Sequence, residues 1–151
     1  MTNDARADLI AAADTSFAAM MGAARALPVL APAASGEWGA FECLAHIDGW
    51  HLSAASRLRQ IAEDKVVTSP EDADALNERF IAERRHLSPE QLLTGLAASF
   101  RELKEAALDL PAAEFWRGGA GREDSLAYFI FNANGPDHYR EHEKDFAGAT
   151  S

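Results

Sequence analysis

Cysteine is almost absent from this chain of 151 residues, since Cys43 is the only one. A single thiol cannot form an internal disulfide, and it cannot build a cysteine-rich zinc site. The neighbouring Phe41 and Glu42 offer nothing that would stabilise a thiolate, so we interpret Cys43 as a small apolar residue rather than a nucleophile. The chain therefore depends on neither disulfides nor thiolate metal ligands.

Long apolar runs are also missing, because no stretch approaches the ~20 residues that a membrane-spanning helix needs. Hydrophobic residues make up 48% of the chain and charged residues 25%, which is ordinary for a globular protein. The segment Met1–Asp8 is acidic and polar, whereas a secretory signal would be basic and then apolar. We therefore predict one soluble, cytoplasmic domain over residues 1–151.

Basic side chains are scarce, with 14 Lys and Arg against 24 Asp and Glu, for a formal net charge of −10. Contacts from Lys and Arg supply the counterion release that drives binding to nucleic acid, and they also attract proteins to anionic membranes. Arg84 and Arg85 form the only adjacent basic pair, so no local patch reverses the overall charge. We predict that neither nucleic acid nor a membrane is a partner.

Apolar residues recur at spacings of three and four along most of the chain, which is typical of amphipathic helices. Proline, glycine and N-cap signals divide the pattern, and no segment has the alternation of a strand. The predicted helices span residues 4–27, 40–63, 89–110 and 123–146, with a short one that begins after Ser69–Asp72 and ends near residue 86. The helix over residues 123–146 is predicted to be interrupted or kinked near Gly135–Pro136. This pattern predicts an all-α four-helix bundle with one additional short helix in a connection.

Two histidines in the last predicted helix are candidate metal ligands. His138 and His142 are four residues apart, so both rings lie on one helical face, about 5–6 Å apart at Cβ. The two histidines lie on the apolar face of this helix, together with Phe131 and Tyr139. The pair therefore points inward, although an H-x-x-x-H spacing alone also occurs by chance in structural helices.

A third ligand would have to come from the second predicted helix, which contains His46 and His51. Counted at about 100° per residue, His51 falls in the apolar stripe, whereas His46 lies at a polar margin beside Glu42 and Trp50. Periodicity alone favours His51 as the inward-facing residue.

Three segments of the chain resemble the DinB superfamily of DinB/YfiT-like proteins, which includes the ClbS/DfsB relatives. The segment Gly36–Trp50 (GEWGAFECLAHIDGW) resembles the entry to that family's second helix, and it is the most specific part. Asn77–Phe80 and His138–His142 resemble later segments in the same order, so the similarity covers most of the chain. Gly39, where relatives often have Ser, and Pro136 within the last helix depart from the family pattern.

The resemblance implies a four-helix fold of the DinB/YfiT-like type with three metal ligands. One histidine comes from the second helix and two from the fourth, which are His46, His138 and His142 in this chain. It also implies a thiol-dependent transferase or isomerase that acts on a small-molecule substrate with a low-molecular-weight thiol. Three neutral imidazoles suit Zn, Ni or Fe(II) and leave a coordination position open.

A catalytic base is harder to identify among so many acidic residues. Glu42 is four residues before His46, so it could act as a general base or orient that ring; Asp137 and Glu141 are alternatives near the other two histidines. Most carboxylates in an acidic chain are simply solvated. We select Glu42 as the candidate catalytic residue.

Two other functions compete with the metalloenzyme hypothesis. The first is a binding or sequestering protein whose cavity holds a small electrophile, or a protective hydrolase of the ClbS-like kind. The second is a structural or stress-response homodimer whose histidines bind nothing. Metal content distinguishes these hypotheses in part.

Overall fold

The computed structural model describes residues 5–34, 37–67, 72–117 and 125–149. Within these ranges the regular structure is entirely helical, which confirms the all-α prediction. The helices are α1 (Arg6–Arg25), α2 (Ala40–Ala62), α3 (Ala73–Arg84), α4 (Pro89–Asp109), α5 (Ala112–Phe115), α6 (Leu126–Asn134) and α7 (Pro136–Ala149). None of the helices in these ranges combines the length and the apolarity that crossing a bilayer would require.

Side-chain caps determine where several helices begin. At α4 the Ser88 hydroxyl accepts from the Gln91 amide at 3.1 Å, and the Gln91 side chain accepts from the Ser88 amide at 2.9 Å. The Ser125 hydroxyl accepts from the Tyr128 amide at the start of α6. The predicted cap at Ser69 lies outside the described residues, and α3 is capped by the Asp72 carboxylate.

The predicted interruption of the last helix is confirmed, because α6 ends at Asn134 and α7 begins at Pro136. Gly135 separates them, and a methyl group there would meet the Phe131 carbonyl oxygen at 2.7 Å. Proline suits the first position of α7, where an amide proton would have no partner within the helix. The break separates α6, which packs against α2, from α7, which packs mainly against α1.

Helix α2 lies at the centre of the fold. It packs against α4, α3, α6 and α7, and residues 41–51 are all buried. Most helices bury one stripe, so a fully buried stretch also encloses polar side chains, and each of these needs a partner. The enclosed polar residues are Glu42, His46, Asp48 and His51.

Helix α3 is attached to α2 by a close packing contact and by an ion pair. Gly49 faces the Phe80 ring so closely that an added Cβ would lie 2.1 Å from a ring carbon. Arg84 donates from Nε to the Asp48 carboxylate at 2.6 Å, where both side chains are nearly buried. These contacts hold α3 beside the second and third turns of α2.

Gly49→Ala should lower the free energy of unfolding by about 1–3 kcal/mol, because the methyl group would displace Phe80. Gly95→Ala is the matched control, since a Cβ there meets no atom within 4 Å. It should instead raise that free energy by about 0.5–1 kcal/mol, because alanine favours a helix over glycine. Chemical denaturation measures both changes. An increase in both variants would show that α2 and α3 are not in contact at Gly49.

Candidate metal centre

Three histidines converge between α2 and α7. His46 extends from α2, while His138 and His142 extend from neighbouring turns of α7. One ring nitrogen from each lies within 4.8 Å of the others, and Nε2 of His46 is 2.9 Å from Nε2 of His142. His46 and His142 are 7% and 8% exposed, and His138 is half-buried. The sequence prediction that these three residues meet is confirmed, and their nitrogens are close enough to hold one metal ion.

The distances among these nitrogens suit a small divalent cation. Bonds of 2.0–2.1 Å in a tetrahedral site place ligand nitrogens about 3.3 Å apart. The observed separations bracket that distance, so small ring movements would bring all three nitrogens into place. The Nδ1 atom of His138 is buried and has no hydrogen-bond partner within the described parts of the chain. A cation bound among the three rings would give this histidine a polar partner.

Burial also keeps the rings of His46 and His138 neutral, as metal ligation requires. Desolvation lowers the pKa of His46 to about 4, with a further decrease from His142 that a hydrogen bond to Asn77 opposes. Desolvation likewise lowers the pKa of His138 to about 2, and the other histidines add to the effect. At neutral pH both rings therefore have a lone pair available.

Asn77 of α3 determines which nitrogen of His46 carries the proton. Its Oδ1 atom accepts from the Trp50 indole nitrogen at 2.6 Å, and because indole only donates, that atom must be the oxygen. The same oxygen lies 3.2 Å from Nδ1 of His46. Nδ1 is therefore the protonated nitrogen, and the lone pair on Nε2 points toward His142. Asn77 belongs to a segment that resembles the DinB superfamily, but its orienting role is not predictable from the sequence, because its partners His46 and Trp50 lie on another helix.

His51 occupies a different cluster, deeper in the core. The only tautomer that satisfies every group has Tyr139 donating to Nε2 (2.5 Å), Nδ1 donating to the Ser99 hydroxyl (2.8 Å), and Ser99 donating to the Leu96 carbonyl. The expectation that His51 faces inward is correct, since it is 0% exposed. The placement of His46 at a polar margin was wrong, because α2 is buried around its whole circumference there.

Glu42 is buried in the structure and already has hydrogen-bond partners. Its carboxylate accepts from the backbone amides of Gly39 (2.9 Å) and Ala33 (3.0 Å), and an Arg85 nitrogen lies 3.9 Å away. These contacts cap the start of α2 and tie the preceding segment to it. A catalytic role for Glu42 stays a prediction. The alternatives Asp137 and Glu141 are exposed.

A cavity of about 250 Å³ adjoins the histidines. His46 and His138 line it, together with Trp50, Asn77 and Asn134. Trp38 packs edge-on against the His46 ring at 4.8 Å and is 44% exposed, so it borders the cluster from another side. Trp116 contacts Phe115 and Tyr128 instead. The cavity has room for a small molecule beside His46 and His138.

His51 should make the metal-free protein less stable in acid. Burial lowers its pKa to about 3, below the value of 6.5 in the unfolded chain. As the pH falls below 6.5, His51 becomes protonated in the unfolded chain but stays neutral in the folded protein. The folded protein therefore loses stability. One such proton changes the free energy of unfolding by about 1.4 kcal/mol per pH unit.

We expect His51→Leu to reduce this slope between pH 6.5 and pH 5 by up to that amount, as measured by urea unfolding with a chelator present. Phe100→Leu is the control, because it disturbs the same core without removing a titratable group. It should lower stability at every pH and leave the slope unchanged. Equal slopes in wild type and His51→Leu would contradict the assigned burial of the ring.

Comparison of the chain with protein-family models, with curated proteins and with solved structures gave no match in any of the three. The histidine geometry described above therefore rests on this chain alone, and the resemblance to the DinB superfamily stays a prediction.

Proposed function

We propose that this chain is a divalent-metal-dependent enzyme of the DinB-like class. His46, His138 and His142 are the metal ligands, and the reaction joins a small-molecule substrate with a low-molecular-weight thiol. The observation that supports the proposal most is the convergence of these three ring nitrogens within 4.8 Å, although they come from two helices far apart in sequence. Buried histidines in an ordinary core pair with hydroxyls or carbonyls, as His51 does.

The arrangement of the helices supports a four-helix bundle of the DinB/YfiT-like type. Helices α1, α2 and α4 each span 20 residues or more, and α6 with α7 takes the place of a fourth long helix. Helix α3 is then the additional short helix in the connection from α2 to α4. In this bundle the ligands project into the interior from facing helices, as in other helical metal proteins.

The donor set suits Zn, Ni or Fe(II), because neutral imidazoles are ligands that all three accept. When bound, such an ion supplies an open coordination position at which a water or a thiolate becomes a reactive nucleophile. The protein residues orient and shield that position. Asn77 holds the His46 ring, and Trp38 and Trp50 restrict access to it. The Gly39 and Ala33 amides hold the Glu42 carboxylate in place and leave it further lone pairs that could accept a proton.

Protein purified without an affinity tag should contain about one divalent metal ion per chain, as measured by elemental analysis. His46→Ala, His138→Ala and His142→Ala should each reduce that content severalfold or more, because two imidazoles hold a cation much less tightly than three. His86→Ala is the matched control, since His86 is exposed and lies outside the cluster. His51→Ala should also retain the metal. Loss of metal in the His51 variant alone would refute the assigned ligands.

The enzymatic part of the proposal is tested on the metal-loaded protein with a panel of low-molecular-weight thiols and a chromogenic electrophile. Thiol consumption should require the metal and should disappear in His138→Ala. Stoichiometric metal without turnover of any thiol in the panel would argue against the transferase activity and for a binding protein.

Asn77→Ala should weaken metal binding by about 10–100-fold, because His46 would lose the hydrogen bond that selects its tautomer. Competition with a chromogenic chelator measures the affinity. Asn132→Ala is the control, since that amide bonds to Asp137 at an exposed position. Equal affinities in wild type and Asn77→Ala would show that Asn77 does not orient the ligand.

A further inference from the structure

A second and larger cavity lies between α2 and α3, away from the three histidines. Its volume is about 450 Å³, which is within the range of small-molecule sites in proteins. Gly49 of α2 and Phe80 of α3 line this cavity at the point where the two helices are in contact. None of the residues that line it belongs to the histidine cluster. We call this cavity the α2–α3 groove.

Three arginines line the α2–α3 groove, although the chain as a whole has a net charge of −10. Two of them are paired with carboxylates. Arg84 donates to Asp48 at 2.6 Å, and Arg79 lies 3.3 Å from Glu83, the only acidic residue in the lining. The third, Arg57, has neither an ion pair nor a hydrogen bond to any part of the chain that the structure describes, and its Nε atom is completely buried.

An unpaired guanidinium in this position needs a physical explanation. Burial disfavours its charge and lowers its pKa, yet an arginine stays protonated at neutral pH. A buried N–H without an acceptor is costly, and native structures contain few of them. The groove therefore has one positive charge in excess and one strong donor without an acceptor.

The neighbouring side chains are also suited to a polar ligand. Ser53 and Ser56 line the groove on the same side of α2 as Arg57, and each has a hydroxyl that can donate a hydrogen bond. The planar guanidinium of arginine matches the two oxygens of a carboxylate or a phosphate. A group of that kind would neutralise the excess charge and accept hydrogen bonds from the guanidinium of Arg57.

We propose that the α2–α3 groove binds the carboxylate or phosphate group of a small molecule, and that Arg57 recognises this oxyanion. Arg57 is eleven residues beyond His46 on the same helix, which corresponds to roughly 16 Å along the helix axis. The bound oxyanion is therefore outside the reach of the three histidine nitrogens. The groove is a separate binding site, and its occupancy does not depend on a metal ion.

The test follows the arginine Nε–H resonances of the full chain by ¹H–¹⁵N NMR, after a chelator has removed any metal that could itself bind phosphate. Inorganic phosphate and acetate are titrated separately at constant ionic strength, which is maintained with sodium chloride. We expect a saturable change at Arg57 with at least one of the two anions, and the tighter one identifies the chemical class. Arg101, an exposed arginine of α4, should show no saturable change.

Two variants complete the experiment, with the backbone amides of Gly49 and Phe80 as reporters. Arg57→Gln should weaken binding of the anion by about 10–100-fold, as expected when a charged hydrogen bond is lost. Arg101→Gln removes the same charge elsewhere and should bind as wild type does. Equal weakening in both variants would show a general effect of charge and overturn the proposal. So would a change at Arg57 that chloride alone reproduces.

Discussion

The complete burial of one part of α2 is the constraint on which the rest of the structure depends. Residues 41–51 face other parts of the protein in every direction, so their polar side chains cannot turn to solvent. Glu42 bonds to backbone amides at the start of the helix, Asp48 to an arginine of α3, and His51 to hydroxyls of α4 and α7. His46 bonds to an amide of α3 and contacts a histidine of α7. Three of the helices that pack against α2, namely α3, α4 and α7, are therefore positioned by specific polar contacts.

Two histidine clusters on the same helices differ in how well their atoms are paired. Around His51 each polar atom has a partner in one consistent tautomer, as expected of a network that stabilises a core. Around His46 the rings of His138 and His142 approach, and one buried nitrogen has no partner. Tyr139 connects the two clusters, because it bonds to His51 and lies between His138 and His142 in the sequence. The bonds of His51 thus hold α7 beside α2, where the three other histidines lie close enough to hold a metal ion.

Each of the two proposed sites includes a residue with a buried polar atom that has no hydrogen-bond partner among the described residues. The described residues contain three buried side-chain nitrogen or oxygen atoms without a hydrogen-bond partner, and they belong to Asp48, Arg57 and His138. Arg57 lines the α2–α3 groove, and His138 lines the cavity beside the histidines. Asp48 already uses its other oxygen to hold Arg84. Two of these three residues, Arg57 and His138, therefore lie beside a cavity, where a bound ligand would offset the cost of desolvation.

The sequence by itself determined the helices other than α5, and it determined the inward direction of the His138 and His142 pair. Proline, glycine and serine act through local backbone geometry, so the cap at Ser88 and the break at Gly135 were predictable from neighbouring residues alone. A spacing of four fixes two rings on one face for the same local reason. The family resemblance added His46, which periodicity had placed at a polar margin.

Only the tertiary structure decided between His46 and His51, because a helical wheel assumes that a helix has one buried face. Packing by four neighbouring helices buries both residues, and their roles then depend on which helix each one meets. The same is true of Asn77 and of the unpaired Arg57, since partners distant in sequence decide whether a polar group is satisfied. Contacts between distant segments arise from the packing of whole helices, and no local pattern encodes them.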